Sequence, residues 1–240
     1  MYRSLSYILL ILLLVFAAIQ MTLPSRDSTH QVFNDSKNVE FESGVRRLRD
    51  GTVEVASLVS MPGVTSDMFR WWFSDYLQTT EHYRMWHPED HVWMGWEHKT
   101  LGKITGSHHL VHEYIGGDLM KLRIQFAWPQ EILGYDPTDE NTVAICARVG
   151  ELESSLNIAE MCHVARNTPS GAELRSRFWL GVISDREAAG WQNFLLSLLA
   201  NNPISRQFAV SETEGINLHK HCMEEMSYLA DLLPAIYKED

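Results

Sequence analysis

A chain of 240 residues with 45% apolar content is long enough for one large domain with a substantial core, and eight Trp with eight Tyr can line an aromatic cavity. Its 20 Lys and Arg stand against 31 Asp and Glu, a net charge of −11. That balance excludes nucleic acid as a partner, because counterion release at a phosphate backbone needs clustered basic residues, and none occur here.

In chain order, Tyr7 to Leu23 is an uncharged apolar run preceded by Arg3 and followed by Pro24. Residues 1–24 therefore read as a targeting segment, with Ala17-Ala18 suited to signal-peptidase cleavage and a length just sufficient for an uncleaved membrane anchor. Either way the protein is expected to be secreted or membrane-anchored. Residues 25–38 are polar, lack apolar periodicity and read as a flexible linker, with a glycosylation sequon at Asn34-Asp35-Ser36. Residues 39–240 make a single domain. Three widely spaced cysteines, Cys146, Cys162 and Cys222, have no metal-ligand spacing and read as buried free thiols; export would permit one bridge.

Thr52–Val59 alternates as a strand ended by Pro62-Gly63. A helix follows, capped by Thr65 or Ser66, with Met68, Trp72 and Tyr76 beside Phe69, Phe73 and Leu77 in two apolar rows at spacing four. A second short helix over 79–87 is closed by Pro88. Six strands then follow, Val92–Glu97, Ser107–Ile115, Met120–Ala127, Thr142–Val149, Ala159–Arg166 and Glu173–Leu180. Asp185 caps a helix over Arg186–Ala200 that Asn201-Asn202-Pro203 stops, and a last helix runs from about Gly215 to Tyr237, with Pro234 weakening or kinking its end. Segregated strands and helices mean α+β. The order fits a curved antiparallel sheet around one long C-terminal helix, the helix-grip arrangement of Bet v 1-like proteins, with a cavity between sheet and helix.

His221 and Glu225 stand one turn apart on that last helix, on the face carrying Leu218, Cys222, Leu229, Leu232 and Ile236. A carboxylate turned toward a core needs compensation, and a divalent metal held by imidazole and carboxylate would supply it. A surface His–Glu hydrogen bond explains the pair as simply. A metal site needs further donors. Alternation in Ser107–Ile115 sends His109, Val111 and Glu113 to one face and His108, Leu110, His112 and Tyr114 to the other, so either Glu113 or His112 faces the cavity. For the remaining imidazole, His82, His87 and His91 are all candidates. The last two also suit turn or cap roles.

Trp71-Trp72-Phe73, Thr79-Thr80-Glu81-His82-Tyr83, Trp86-His87-Pro88-Glu89-Asp90-His91, His112-Glu113-Tyr114-Ile115-Gly116-Gly117, Arg175-Ser176-Arg177-Phe178-Trp179-Leu180-Gly181 and the terminal HxxxE together resemble the 2,4-diacetylphloroglucinol hydrolase family, which includes phloretin hydrolase. The resemblance covers about Val53 to Tyr228. It implies a Bet v 1-like catalytic domain with a zinc ion bound by two His and two Glu. Carried over from the resemblance, the ligands are His82, Glu113, His221 and Glu225, with His82 chosen for its distance before Glu113 and His87 as the fallback. The chain departs from the family's soluble habit in its N-terminal apolar segment.

The resemblance further implies hydrolysis of a carbon–carbon bond between an acyl group and a phenolic ring, on a small phenolic ketone. The leaving ring carbon needs a proton donor, for which His163 is the candidate. Tyr83 and Tyr114 are candidate contacts for phenolic hydroxyls, and Arg177 either binds a substrate carboxylate or pairs with Glu173. A non-enzymatic helix-grip carrier of an aromatic or apolar ligand and a metal-dependent ester or lactone hydrolase are the competing readings. A homodimer is left open.

Overall fold

The computed structural model describes residues 11, 14–15, 21–34, 39–186 and 199–237. Helix α1 (Arg26–His30) and a single 3-10 turn (Gln31–Phe33) precede strands β1 (Gly44–Arg47) and β2 (Val53–Pro62). Helix α2 (Ser66–Trp71) runs on into a π turn at Trp72–Tyr76 and is followed by α3 (Thr80–Trp86). Strands β3 (His91–Glu97), β4 (His108–Ile115) and β5 (Asp118–Ala127) lead to the short α4 (Pro129–Leu133). Then come β6 (Thr142–Glu151), β7 (Leu156–Thr168), β8 (Gly171–Asp185), α5 (Pro203–Ala209) and the 25-residue α6 (Glu212–Ile236).

The strands form one antiparallel sheet in the order β1-β2-β8-β7-β6-β5-β4-β3. Chain neighbours pair by hairpins throughout, except that β2 closes on β8. Helix α6 lies in the sheet's concave face, along β1 and β2, and its apolar stripe of Cys222, Met226, Leu229 and Leu233 is fully buried. This is the expected α+β helix-grip. Local chemistry sets its start: Ser211 accepts from the Glu214 N–H while Glu214 accepts from the Ser211 N–H, a capping box. Pro234 falls in the last turn, and the helix ends two residues later, as expected of a proline there. The aromatic rows of α2 and its π turn also close on the core, with Phe69, Trp72 and Phe73 buried.

The sheet carries a second, smaller core on its convex face, built from Phe33, Leu48, Cys146, Cys162, Trp179 and Val182. Here two expectations are corrected. The segment expected to be a flexible linker is docked as far as it is described: Thr29 and His30 are buried, Trp179 Nε1 donates to Thr29 Oγ1 at 2.8 Å, and Arg166 donates to the Phe33 carbonyl. Aromatic and guanidinium partners on the convex face, invisible to periodicity, hold it. Cys146 and Cys162, expected as free thiols, form a disulfide because β6 and β7 pair them directly opposite each other, with Cα atoms 4.1 Å apart. Cys222 is free and buried, as expected.

The strand expected over Glu173–Leu180 runs longer, from Gly171 to Asp185, so Asp185 ends a strand. The helix expected over Arg186–Ala200 lies outside the described residues for most of its length, as does most of the apolar segment. No helix among the described residues is long and apolar enough to cross a membrane.

Candidate metal centre in an aromatic-walled cavity

Four donors from three elements converge between α6 and the β3–β4 hairpin. The cross-strand pair His91 and Glu113 supplies one side, and His221 with Glu225 supplies the other from one face of α6. His91 Nε2 lies 3.9 Å from Glu113 Oε2 and 3.6 Å from Glu225 Oε2, and His221 Nε2 lies 3.9 Å from Glu225 Oε2. All four residues are buried. Donors around a tetrahedral zinc ion at ~2.0–2.2 Å would stand about 3.4 Å apart, so small movements would close this set on the ion.

Hydrogen bonding orients both imidazoles for that task. His91 Nδ1 is 2.8 Å from the Tyr83 carbonyl and His221 Nδ1 is 3.1 Å from Asp90 Oδ2, so each Nδ1 is the protonated donor. Each Nε2 then offers a lone pair, and both are buried without a hydrogen-bond partner. Asp90 is itself supported. Its N–H donates to His87 Nδ1, which leaves the proton on His87 Nε2, 3.6 Å from Asp90 Oδ2. A carboxylate behind a ligating histidine is the usual means of fixing its tautomer and ring angle.

The electrostatics ask for a cation. Among the described residues neither Glu113 nor Glu225 has a Lys or Arg ion-pair partner. Burial pushes the Glu225 carboxyl up to about 7 despite the pull of His221 and His87. It also draws His91 down to about 4, keeping that imidazole neutral. Burial likewise acts to lower His221, but Glu225, Glu113 and Asp90 outweigh it and hold His221 above its ordinary value. Two buried carboxylates facing two imidazole lone pairs fit a divalent ion. A surface group of Glu97, His98 and His108 does not, because Arg123 already pairs with Glu97.

Three of the four donors, Glu113, His221 and Glu225, line a cavity of about 450 Å³ between α6 and the sheet. Its walls include Phe73, Tyr83, Trp86, His109, Phe126 and His163. Tyr83 stacks on His91 with ring centroids 3.7 Å apart and donates its hydroxyl to Glu113. Burial first, and Glu113 next, hold the Tyr83 hydroxyl protonated. His163 is buried on β7 with Nδ1 2.6 Å from Ser176 Oγ, and burial draws it down to about 4.

The chain matches the family model described as the DAPG hydrolase PhiG domain over residues 23–238. It belongs to that hydrolase family. It is 30% identical over 215 residues to a 2,4-diacetylphloroglucinol hydrolase from Pseudomonas sp, covering 84% of this chain and 72% of that protein. It is 27% identical over 201 residues to phloretin hydrolase from Eubacterium ramulus, covering 80% of this chain and 69% of that protein. Among solved structures, protein Ms6760 from Mycobacterium smegmatis is similar at a TM-score of 0.44 and 11% identity, covering 81% of this chain and 98% of that one.

Within this family member, Glu113, His221, Glu225 and Tyr83 stand together, His163 lines the same cavity, and three expected residues do not join them. His82 caps the π turn instead: its Nδ1 is 2.7 Å from the Tyr76 carbonyl and its ring stacks on Tyr76. His91 occupies the position assigned to it. Tyr114 follows Glu113 and so points to the opposite, exposed face of β4. Arg177 lies on the convex face, fully buried, pairing with Glu54 at 3.4 Å and donating to the Phe41 carbonyl. The pairing with Glu173 belongs to Arg175. Asp90 and His109 are members of the site that sequence reasoning passes over; the inward set of His109, Val111 and Glu113 is the signal that holds the second of them.

Proposed function

We propose that the protein is a zinc-dependent hydrolase that cleaves the carbon–carbon bond between an acyl group and a phenolic ring of the phloroglucinol type, releasing a carboxylic acid. One observation carries this reading: two imidazole lone pairs and two carboxylates lacking a Lys or Arg partner converge where the cavity wall is aromatic. The relatives' names, 2,4-diacetylphloroglucinol hydrolase and phloretin hydrolase, support the substrate class. Two nitrogen and two oxygen donors suit zinc, which when bound by His91, Glu113, His221 and Glu225 supplies Lewis acidity toward the acyl carbonyl and toward water.

The chain's own residues account for the rest. Water adds to the acyl carbonyl carbon, the bond from that carbon to the ring breaks, and the ring carbon leaves with the electron pair and takes a proton. Ring hydroxyls make such a leaving group tolerable, so the site must hold them and supply the proton. His163 fits that role. Burial keeps it neutral near pH 7, so it can take the proton that the attacking water gives up and pass that same proton to the ring carbon, with Ser176 beside its Nδ1 holding the ring in place. The ring lies among Phe73, Trp86 and Phe126, which keep bulk water from the carbanion.

The protein is exported, either freed from its N-terminal segment or tethered through it. The apolar run from Tyr7 to Leu23 and the Cys146–Cys162 disulfide, which persists only in an oxidising compartment, both favour this. The test of function is to purify the protein, measure its zinc, and follow carboxylic acid release from acetylphloroglucinol beside an aryl acetate. About one zinc per chain and ketone cleavage that is lost on chelation are expected. Cleavage of the ester alone would reject the proposal, and a metal-free protein that binds the ketone without turnover would favour a carrier.

A further inference from the structure

The cavity is longer than the chemistry at its deep end requires. It follows α6 from Glu225 out to Glu214, about 16 Å of helix. Two strands change character along it in the same sense, whereas on β5 Met120 already stands opposite the donor Glu113, with Leu122 and Ile124 opposite Val111 and His109. On β7, Ile158 and Met161 come before His163. Strand β8 runs the other way, with Phe178 opposite Met161 and Leu180 and Ile183 toward the mouth. The arm that runs from the donors toward Glu214 is thus lined by aliphatic groups, Ile115, Ile158, Leu180, Ile183, Val210 and Leu218.

The charged groups at the far end are of one sign. Asp118 and Glu214 are exposed at the mouth, on a chain of net charge −11. Between these two ends the outer arm offers a ligand carbon surface, with Asn217 the polar side chain in its lining.

We infer that the preferred substrates are phenolic ketones with an unbranched aliphatic acyl chain of about eight carbons that is uncharged at its far end. The inference rests on the carbon–carbon hydrolase reading. With the carbonyl at the four donors and the ring at the aromatic end beside His163, the remaining substituent of the carbonyl carbon has only the outer arm to enter. From His221 to Glu214 that arm measures about 10 Å along the helix. An extended chain advances about 1.25 Å per methylene, given a C–C bond of ~1.5 Å, so about eight carbons fill it. A terminal carboxylate would emerge between Asp118 and Glu214 and be repelled.

The experiment has two arms on the full-length zinc-loaded protein. In the first, kcat/KM is measured for acetyl-, butanoyl-, hexanoyl-, octanoyl- and dodecanoylphloroglucinol. It is expected to rise up to about fourfold per methylene and to stop rising near eight carbons. Leu218→Trp, which narrows the arm, should lower the octanoyl-to-acetyl ratio at least tenfold. In the second, calorimetry measures binding of alkylphloroglucinols, which lack the ketone, and of an octyl analogue ending in a carboxylate. Affinity should rise with chain length and fall at least tenfold for the carboxylate. Ketone cleavage with a flat chain-length profile would overturn the inference while leaving the activity standing. Length-dependent alkylphenol binding without ketone cleavage would keep the arm and reject the activity. No length dependence in either arm would overturn the inference outright.

Discussion

His91 and His82 differ by what surrounds their nitrogens, and substitution can tell them apart. His91 Nε2 is buried, without a partner and beside two carboxylates, whereas His82 is committed to the Tyr76 carbonyl. His91→Ala should therefore lose bound zinc and ketone cleavage by a hundredfold or more, while His82→Ala keeps zinc and loses at most about 1 kcal/mol of stability. Metal analysis of the two purified variants decides, and zinc loss from His82→Ala alone would restore the ligand set implied by the resemblance. Asp90→Asn tests the next layer. It replaces the acceptor behind His221 with a neutral one and should weaken zinc binding about 10- to 100-fold, read by competition with a chromophoric chelator. The other half of the site is legible in sequence. A period of four pairs His221 with Glu225, and a period of two joins Glu113 to the inward Val111. His91 is hidden because its role depends on where a strand begins. Expected at Val92, β3 starts one residue earlier, and the hairpin register then sets His91 opposite Glu113.

At the scale of elements, periodicity and capping reveal what local chemistry controls, namely the strand series, the aromatic rows of α2 and the capped terminal helix. They do not reveal partners across the sheet. The disulfide is such a case: Cys146 and Cys162 each read as small apolar residues until β6 and β7 pair with those two positions opposed. The bridge closes a loop with a sequence separation of 16, for which lost unfolded-state entropy corresponds to about 3 kcal/mol. The double variant Cys146→Ser/Cys162→Ser should therefore unfold at lower urea, by about 2–3 kcal/mol, with the zinc site intact. Equal midpoints for the variant and the parent under non-reducing conditions would show that the bridge does not form. The docked α1 is the same lesson, since Trp179 and Arg166 recognise its backbone and Thr29 through contacts that no run of residues displays.

For the whole molecule, acid should destabilise the metal-free protein well before the carboxylates of an ordinary protein titrate. Burial depresses His30, His91 and His163 to about 4 and His109 to about 3, in both cores of the sheet. A histidine with a folded pKa below its unfolded value near 6.5 contributes stability above that value. The contribution is lost as pH falls toward the folded pKa, because the unfolded chain takes up protons that the native chain refuses. Between pH 7 and 5 the fully buried His109 and His163 each give up on the order of 1–2 kcal/mol by this linkage. Glu225 works the other way. Raised to about 7, it is protonated in the native state first, gaining about what one imidazole loses over the same range. The raised pKa of His221 adds to that gain. His87, His108, His112 and His219 are depressed as well, and these eight imidazoles against Glu225, His221 and the raised carboxyls Glu54 and Glu160 leave the unfolded state binding more protons, so stability falls. Urea midpoints of the chelator-treated protein should drop from pH 7 to pH 5, and His109→Phe or His163→Phe should reduce that drop. A midpoint that rises toward pH 5 would mean that Glu225 and His221 dominate the proton balance, and that the buried imidazoles are solvated in the absence of metal.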